Sequence, residues 1–305
     1  MATLGVVVIG RNEGARLETC LRSLASSQYP VVYVDSGSKD GSPERARALG
    51  ADVVELDASR PFTAARGRNE GFARLRALHP DIELVQFLDG DTEVIAGWFE
   101  RALAALKDTD VVAVCGRRRE RHPDASVYNA LCDIEWNTPV GETNVFGGDV
   151  LVRVDAFDAA GGYDASLIAG EDPDLAVRLR STTGKKILRI DCDMTLHDAA
   201  MTSFSQWWTR VLRGGHAFAE GAARHEKLGF WKKEVRSNWA WGAALPALGA
   251  LFVVPTLGTS AVVVGAGYAT LFAKIRRDAR RRGMPARDAD LFALFGVVAK
   301  IPQAI

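Results

Sequence analysis

Two hydrophobic periods alternate through the first 115 residues. Leu4–Ile9 is a continuous apolar run of strand length, and Leu17, Cys20, Leu21 and Leu24 then recur at the spacing of one helix face. Val31–Val34 is a second apolar run, closed by Asp35-Ser36-Gly37-Ser38, which is turn chemistry. Ser42-Pro43-Glu44 starts a helix, with a capping hydroxyl followed by proline in the first turn. Gly50 stops that helix, and Asp52–Leu56 follows as a strand. A helix carrying Arg66, Asn69 and Phe72, a strand over Leu84–Leu88, a helix through Trp98, Phe99, Leu103 and Leu106, and a strand over Val111–Cys115 complete the alternation. Valine-rich strands joined through helices by short connections predict an α/β fold, with a mainly parallel sheet covered by helices on both faces. Ligands of such sheets sit beyond the carboxyl ends of the strands, so the residues that follow each strand are the candidates for function. After Cys115 the rhythm weakens: helical stretches near 126–136 and 172–179 bracket Phe146-Gly147-Gly148-Asp149 and Gly161-Gly162-Tyr163-Asp164.

Composition narrows the class. The chain has 305 residues, 48% hydrophobic and 25% charged, which excludes disorder, collagen and coiled-coil arrays as the main architecture. Its 38 basic residues balance 38 acidic ones, against a nucleic-acid partner. The four cysteines, Cys20, Cys115, Cys132 and Cys192, form no CxxC pair and read as free thiols in a reducing compartment. The first ten residues lack a basic leader and a cleavage site and read as a first strand.

The balance of charge conceals an asymmetry, because residues 206–305 hold 15 Lys and Arg against 6 Asp and Glu. Within that tail, Trp239 to Ala273 is a stretch of 35 residues without one charge. Pro255-Thr256-Leu257-Gly258 marks a turn in its middle, and it is flanked by Lys232, Lys233 and Arg236 on one side and by Lys274–Arg282 on the other. The expectation is a C-terminal hydrophobic helical membrane region: a hairpin with both basic ends on the cytoplasmic side. A buried apolar helical pair of a soluble domain is the other reading. Leu291–Ile301 is a further apolar element, and five of the seven tryptophans, at 207, 208, 231, 239 and 241, cluster around the expected membrane boundary. The domains expected are 1–235, catalytic, and 236–305, membrane-associated and helical.

Three charged clusters carry candidate chemistry. Asp89-Gly90-Asp91 follows an apolar strand, so two carboxylates one residue apart project into one small volume, where hard oxygen ligands suit Mg²⁺ or Mn²⁺. Glu171-Asp172-Pro173-Asp174 precedes a helix. Its acids either stabilise a helix N-terminus or supply a general base. Arg117-Arg118-Arg119-Glu120-Arg121-His122 follows the fifth strand as a charged loop, and arginine forks there could meet phosphate.

Six motifs in order resemble the inverting family-2 glycosyltransferases of the GT-A fold: Val6–Gly10 with Asn12 and Glu13; Val34-Asp35-Ser36-Gly37-Ser38; Ala65-Arg66-Gly67-Arg68-Asn69-Glu70-Gly71; Asp89-Gly90-Asp91; Gly161-Gly162-Tyr163-Asp164; and Gly170-Glu171-Asp172-Pro173. The resemblance covers about residues 4–200. It implies a Rossmann-like GT-A sheet, a nucleoside diphosphate sugar as donor (a UDP-sugar first), a divalent cation, and direct displacement at the anomeric carbon. By the same resemblance, Gly10 and Glu13 border the base and ribose of the nucleotide, Asp35 accepts from the base, and Arg66 and Asn69 lie near the nucleotide and diphosphate. Asp89 meets ribose or metal, Asp91 the metal, and Asp172 is the base with Glu171 beside it. His197 stands where relatives place a late metal or diphosphate ligand, although a lone histidine also serves as a structural hydrogen-bonding residue.

Two departures from the family pattern matter. Ser36 replaces the second acid after the second strand, and Gln206-Trp207-Trp208-Thr209-Arg210 stands in for the Gln-x-x-Arg-Trp of members with membrane-embedded acceptor sites. The function expected is transfer of one sugar, with inversion, to a lipid or lipid-linked saccharide in envelope or exopolysaccharide assembly. The expected location is the inner membrane, with the catalytic domain on its cytoplasmic side. A metal-dependent nucleotidyltransferase and a non-catalytic nucleotide-binding membrane scaffold are the alternatives.

Overall fold

The computed structural model describes residues 3–305. In chain order the elements are β1 (Leu4–Gly10), α1 (Ala15–Leu24), β2 (Val31–Asp35), α2 (Ser42–Ala48), β3 (Asp52–Glu55), α3 (Ala64–Leu78), β4 (Leu84–Asp89), β5 (Thr92–Val94), α4 (Trp98–Ala105) and β6 (Val111–Glu120). They continue with α5 (Val127–Trp136), β7 (Gly141–Thr143), β8 (Val150–Arg153), α6 (Val154–Ala159), α7 (Glu171–Thr183), β9 (Lys186–His197), α8 (Phe204–Arg224), α9 (Lys232–Trp239), α10 (Leu245–Phe252), α11 (Thr259–Arg281) and α12 (Ala286–Val298). The chain forms two compact units: Met1–Arg121 with Trp136–Ala199, and His122–Glu135 with Ala200–Ile305. The units therefore do not divide at 235/236, and α8 and most of α5 belong with the tail.

The first unit is built on one sheet in the order β3-β2-β1-β4-β8-β6-β9-β5, with β7 pairing β9. β3, β2, β1 and β4 are parallel, as the alternation predicts. The remainder is mixed, because β8 inserts antiparallel to both β4 and β6. No helix separates β4 from β5, and beyond β4 the parallel pair is β6 with β9. In register, Gly10 lies opposite Asp35 and Ile9 opposite Asp89, so three strands end level at one edge of the sheet. β6 runs five residues beyond Cys115, which places the arginine run in a strand rather than in the expected loop.

Val6, Val7, Val8, Phe87, Leu88 and Val112–Val114 are buried in the centre of this unit. The polar side chain of Gln86, buried among them, is satisfied: Trp98 Nε1 donates to its Oε1 at 2.8 Å. Helix α3 lies against the strands at Gly71, where an added Cβ would come within 2.5 Å of Val7 and 2.7 Å of Val34. Phe157 packs between Phe72 and Phe87, with ring centroids 4.7 and 5.2 Å away.

The second unit is helical. α8 opens with a capping box, in which Ser203 Oγ accepts from Gln206 N while Gln206 Oε1 accepts from Ser203 N at 2.9 Å. Gln206 is thus committed to starting a helix. The uncharged stretch folds as the end of α9, a π-helical turn over Ala240–Ala244, α10 and the first part of α11. The chain reverses after α10, with Leu257 and Gly258 both at positive φ, at the place where the turn was expected. The arms are held together by Ser260 Oγ donating to Gly249 O at 2.9 Å and Tyr268 Oη donating to Trp241 O at 2.6 Å. Among the described residues no helix is long and apolar enough to cross a membrane. That corrects the expectation of membrane-spanning arms. α9, the π-helical turn and α10 run on as one helix whose first turns are charged, and α11 likewise runs on into the arginine-rich segment.

Candidate active site

The level ends of β1, β2 and β4 bring the motifs around Gly10, Asp35 and Asp89 to one edge. Asp35, at the end of β2, is buried and holds its own turn: its Oδ2 accepts from Gly37 N at 2.9 Å and Ser38 N at 2.7 Å, and its Oδ1 accepts from Tyr33 Oη. Asn12, at φ 57°, locks the β1 loop to that turn by donating its N–H to Ser38 Oγ and accepting from Lys39 N. Gly10 sits beneath Tyr33 and Glu13, whose carboxylate pairs with Arg16 at 2.7 Å; burial pushes the Glu13 pKa up.

Asp89 ends β4 and Asp91 lies just past it. One ligand atom from each, together with one from His197 at the end of β9, fall within 4.8 Å of one another. β5 pairs with β9 and sets Thr92 opposite His197, which brings Asp91 Oδ1 to 3.3 Å from His197 Nε2. That Asp91 oxygen is buried and makes no hydrogen bond among the described residues. Burial first, and then the neighbouring carboxylates Asp89, Glu13 and Asp149, push Asp91 up to about 8. Burial also opposes ionisation of Asp89, but Arg68, Arg118 and His197 outweigh it and hold its pKa below the usual range. Two carboxylates and an imidazole around a crowded, electron-rich volume are a donor set that suits Mn²⁺ or Mg²⁺.

Glu171 and Asp172 open α7, after Gly170 in the left-handed conformation. Arg68 links them to the carboxylates of β4. Its Nη2 donates to Asp89 Oδ1 at 2.8 Å, and its Nη1 donates to Glu171 Oε1 at 3.0 Å and lies 3.5 Å from Asp172 Oδ1. Burial pushes Asp172 up to about 7 against the pull of Arg68, which places its titration in the range useful to a general base. The loop before α7 is fixed from two sides. Asn69 donates Nδ2 to Tyr163 O at 2.7 Å and accepts from Tyr163 N, while Arg178 donates to Ala160 O and Gly162 O.

Four residues that build this site had no individual role assigned from the sequence, although Arg68, Arg118 and Asp149 stand within segments noted there. Arg68 is the buried bridge, whereas Arg66, two positions earlier on α3, spends its guanidinium on Glu70 and on the carbonyls of Asp57, Arg60 and Pro61. Arg118 donates to Asp149 at 3.0 Å, approaches Asp89 at 3.6 Å, and lies over the Trp136 ring. Asp149 is held in turn by Thr195 Oγ1 at 2.7 Å. Trp136 meets the His197 ring edge to face at 4.8 Å. Alternation along β6 was the available signal, since Arg118 faces Asp149 while Arg119 turns to Asp193.

The profile of Glycosyl transferase family 2 matches residues 5–161, just over half of the chain. The chain belongs to glycosyl transferase family 2. This family-2 chain is 28% identical over 184 residues to glycosyltransferase AglE of Haloferax volcanii, a match covering 55% of the chain and 58% of that relative. It thus spans less than two-thirds of the archaeal protein. It is 26% identical over 282 residues to succinoglycan biosynthesis protein ExoA of Rhizobium meliloti, covering 86% of the chain and 84% of the relative. In fold it is similar to the mannosyltransferase PcManGT of Pyrobaculum calidifontis, solved in complex with GDP-Man and Mn²⁺. The TM-score is 0.63 and the identity 19%, over 99% of this chain and 86% of the other. The GT-A-like α/β fold expected from the motifs is the fold observed, with a mixed sheet in place of a mainly parallel one.

Proposed function

We propose that the family-2 chain transfers one sugar, with inversion, from a nucleoside diphosphate sugar to a hydroxyl of a lipid or lipid-linked saccharide. The observation that carries the reading is the joining of two acidic clusters through Arg68: Asp89 beside Asp91 and His197 on one side, Glu171 and Asp172 on the other. Asp89, Asp91 and His197 would hold a divalent cation, which neutralises the charge of the departing diphosphate. Asp172 takes the proton of the acceptor hydroxyl as its oxygen bonds to the anomeric carbon and the bond to the diphosphate breaks. Glu171 and Arg68 orient that carboxylate. Gly10, Glu13, Asp35, Arg66 and Asn69 shape the nucleotide end, Asp35 by facing the base and the others by fixing the loops around it.

A UDP-sugar is the first donor to test. GDP-mannose is the second, since the Pyrobaculum mannosyltransferase was solved with GDP-Man and Mn²⁺. A role in exopolysaccharide or envelope assembly is supported by the likeness to a protein named for succinoglycan biosynthesis. The hairpin tip of the second unit exposes Leu251, Val254 and Leu257, an apolar surface suited to resting at a membrane interface without crossing it. The reading puts this chain at the cytoplasmic face of the inner membrane, where nucleotide sugars are found.

The test is a panel of labelled nucleotide sugars with lipid-phosphate and lipid-saccharide acceptors, with Mn²⁺ or with chelator, and product analysis by NMR. Transfer with inverted anomeric configuration, lost in chelator, is expected. Retained configuration would refute the single displacement, and full transfer in chelator would refute the metal.

A further inference from the structure

Within the second unit lies a cavity of about 590 Å³, in the range of small-molecule sites. Its walls are aromatic and aliphatic, with Trp207 and Phe295 meeting edge to face at 4.9 Å, interrupted by polar and charged side chains that include Glu135, Glu234 and Lys300. Two of its lining residues are almost wholly buried and carry an N–H without a partner: the indole Nε1 of Trp207 and the amide Nδ2 of Asn238. Leaving a buried donor unmade is costly, so two on one cavity wall need an explanation. Asn238 cannot turn its amide to relieve the debt, because its Oδ1 already accepts from Lys300 Nζ at 2.8 Å.

The cations of this wall differ in commitment. Arg210 is paired with Glu135 at 2.7 Å. Among the described residues the Lys300 ammonium donates to the neutral Asn238 alone. Burial pushes its pKa down and Glu234 only partly offsets this. Glu135, paired with Arg210, and Glu234 line the same cavity, so an anionic group is favoured at its Lys300 end, where it would meet a half-buried ammonium with the two idle N–H donors set in the wall.

The wall is also held firmly in place. The segment bearing Lys300 and Gln303 is seated in two glycine notches: a Cβ on Gly242 would come within 1.9 Å of Lys300 O, and one on Gly215 within 2.6 Å of Gln303 Cα. Gly242 lies in the π-helical turn that follows α9, and such turns recur at functional sites.

We infer that this cavity is a binding site for a single-chain amphiphile with an anionic oxygen head, the head meeting Trp207, Asn238 and Lys300 and the chain filling the aromatic wall. A lipid phosphate and a fatty carboxylate share that chemistry. The inference stands apart from the glycosyl-transfer reading, since every residue it uses belongs to the second unit.

The full-length protein is titrated with decyl phosphate, decanoate, decanol and inorganic phosphate, all below micelle-forming concentrations. Calorimetry and the indole ¹H–¹⁵N resonances are recorded, and the Trp207 signal is identified by its loss in Trp207→Phe. Saturable one-to-one binding of an anionic amphiphile with a downfield shift of the Trp207 signal is expected. The better of decyl phosphate and decanoate names the source. Asn238→Asp keeps the volume and the Lys300 partner but repels an anion, so it should weaken binding at least tenfold while the melting temperature holds. Trp207→Phe should weaken it several-fold. Decanol binding as well as the anionic amphiphiles would overturn the anionic head, and inorganic phosphate binding equally well would overturn the chain. An unmoved Trp207 signal, or undiminished binding in both variants, would overturn the site.

Discussion

Arg68 Nη2 meets Asp89 Oδ1 at 2.8 Å, and the same guanidinium reaches the two acids that open α7. One buried cation therefore ties the strand-end carboxylates to the candidate base. Replacing Arg68 by Met removes the charge and leaves Asp89 and Asp172 buried without it. Breaking a buried ion pair from one side costs about 3–5 kcal/mol. We expect a loss of that order at pH 8 and a smaller one at pH 5, where protonation of the stranded carboxylates relieves the penalty. Thermal or urea unfolding at both pH values reads this directly, and wild-type stability at pH 8 would show that the bridge contributes nothing.

The base assignment predicts a pH profile. With Asp172 near 7 in the folded protein, the ionised fraction rises through neutrality, so kcat/KM should climb from pH 6 to 8. Asp172→Asn should cut turnover by about 10²–10⁴-fold and leave donor affinity close to wild type. If Glu171→Gln shows the large loss and Asp172→Asn a mild one, the neighbours exchange roles.

Stability responds to the same group with the opposite slope. Its folded pKa lies above the ordinary 3.8, so the folded state holds the proton more tightly than the unfolded chain does. The associated stability is complete below about pH 4 and is lost as pH rises to about 7. Asp172→Asn cannot ionise. Its melting temperature should therefore fall less than that of wild type between pH 5 and pH 8 in parallel scans.

Metal binding is separable from turnover. Mn²⁺ at a hundredfold excess over its Kd should stabilise the wild type by about 2.7 kcal/mol. Asp91→Asn withdraws one of three donors and should lose most of that gain. An equal Mn²⁺ response in the variant would remove Asp91 from the ligand set.

Gly148 is the backbone floor under the Arg68–Asp89 pair. An added Cβ would lie 2.5 Å from Asp89 Oδ2 and 2.6 Å from Arg68 Nη2. Both side chains are anchored by other partners, so Gly148→Ala should cost about 1–3 kcal/mol and depress activity. Gly214→Ala, in helix α8 with open space around it, is the control and should be neutral or slightly stabilising.

The first half of the fold was legible because apolar runs and helical faces alternate there with little interference. β1, β2 and β4 and the acids that follow them stand where the pattern put them. Arg68 was not legible. Arg66 and Arg68 are two positions apart on one helix, hence on different faces, and composition does not say which face meets the sheet edge. Arg118 was hidden in a run that resembles a solvated loop, although every second residue of a strand faces the same way. The membrane expectation counted missing charges. It foresaw the reversal, but not that the first arm is one continuous helix with the charged turns of α9, or that α11 continues unbroken into its arginines.

The chain passes between its two units three times, at 121/122, 135/136 and 199/200. The excursion is anchored: Asn129 Oδ1 accepts from Met201 N at 3.0 Å, and Leu131 and Cys132 are buried. A protein ending at residue 199 would keep Asp89, Asp91, Asp172 and His197, yet it would leave α5 without the partner that covers it. Neither unit can then be exchanged as a cassette at a single breakpoint. Any recombination that brings a foreign tail to this sheet must also bring, or match, fourteen residues embedded in the middle of the gene.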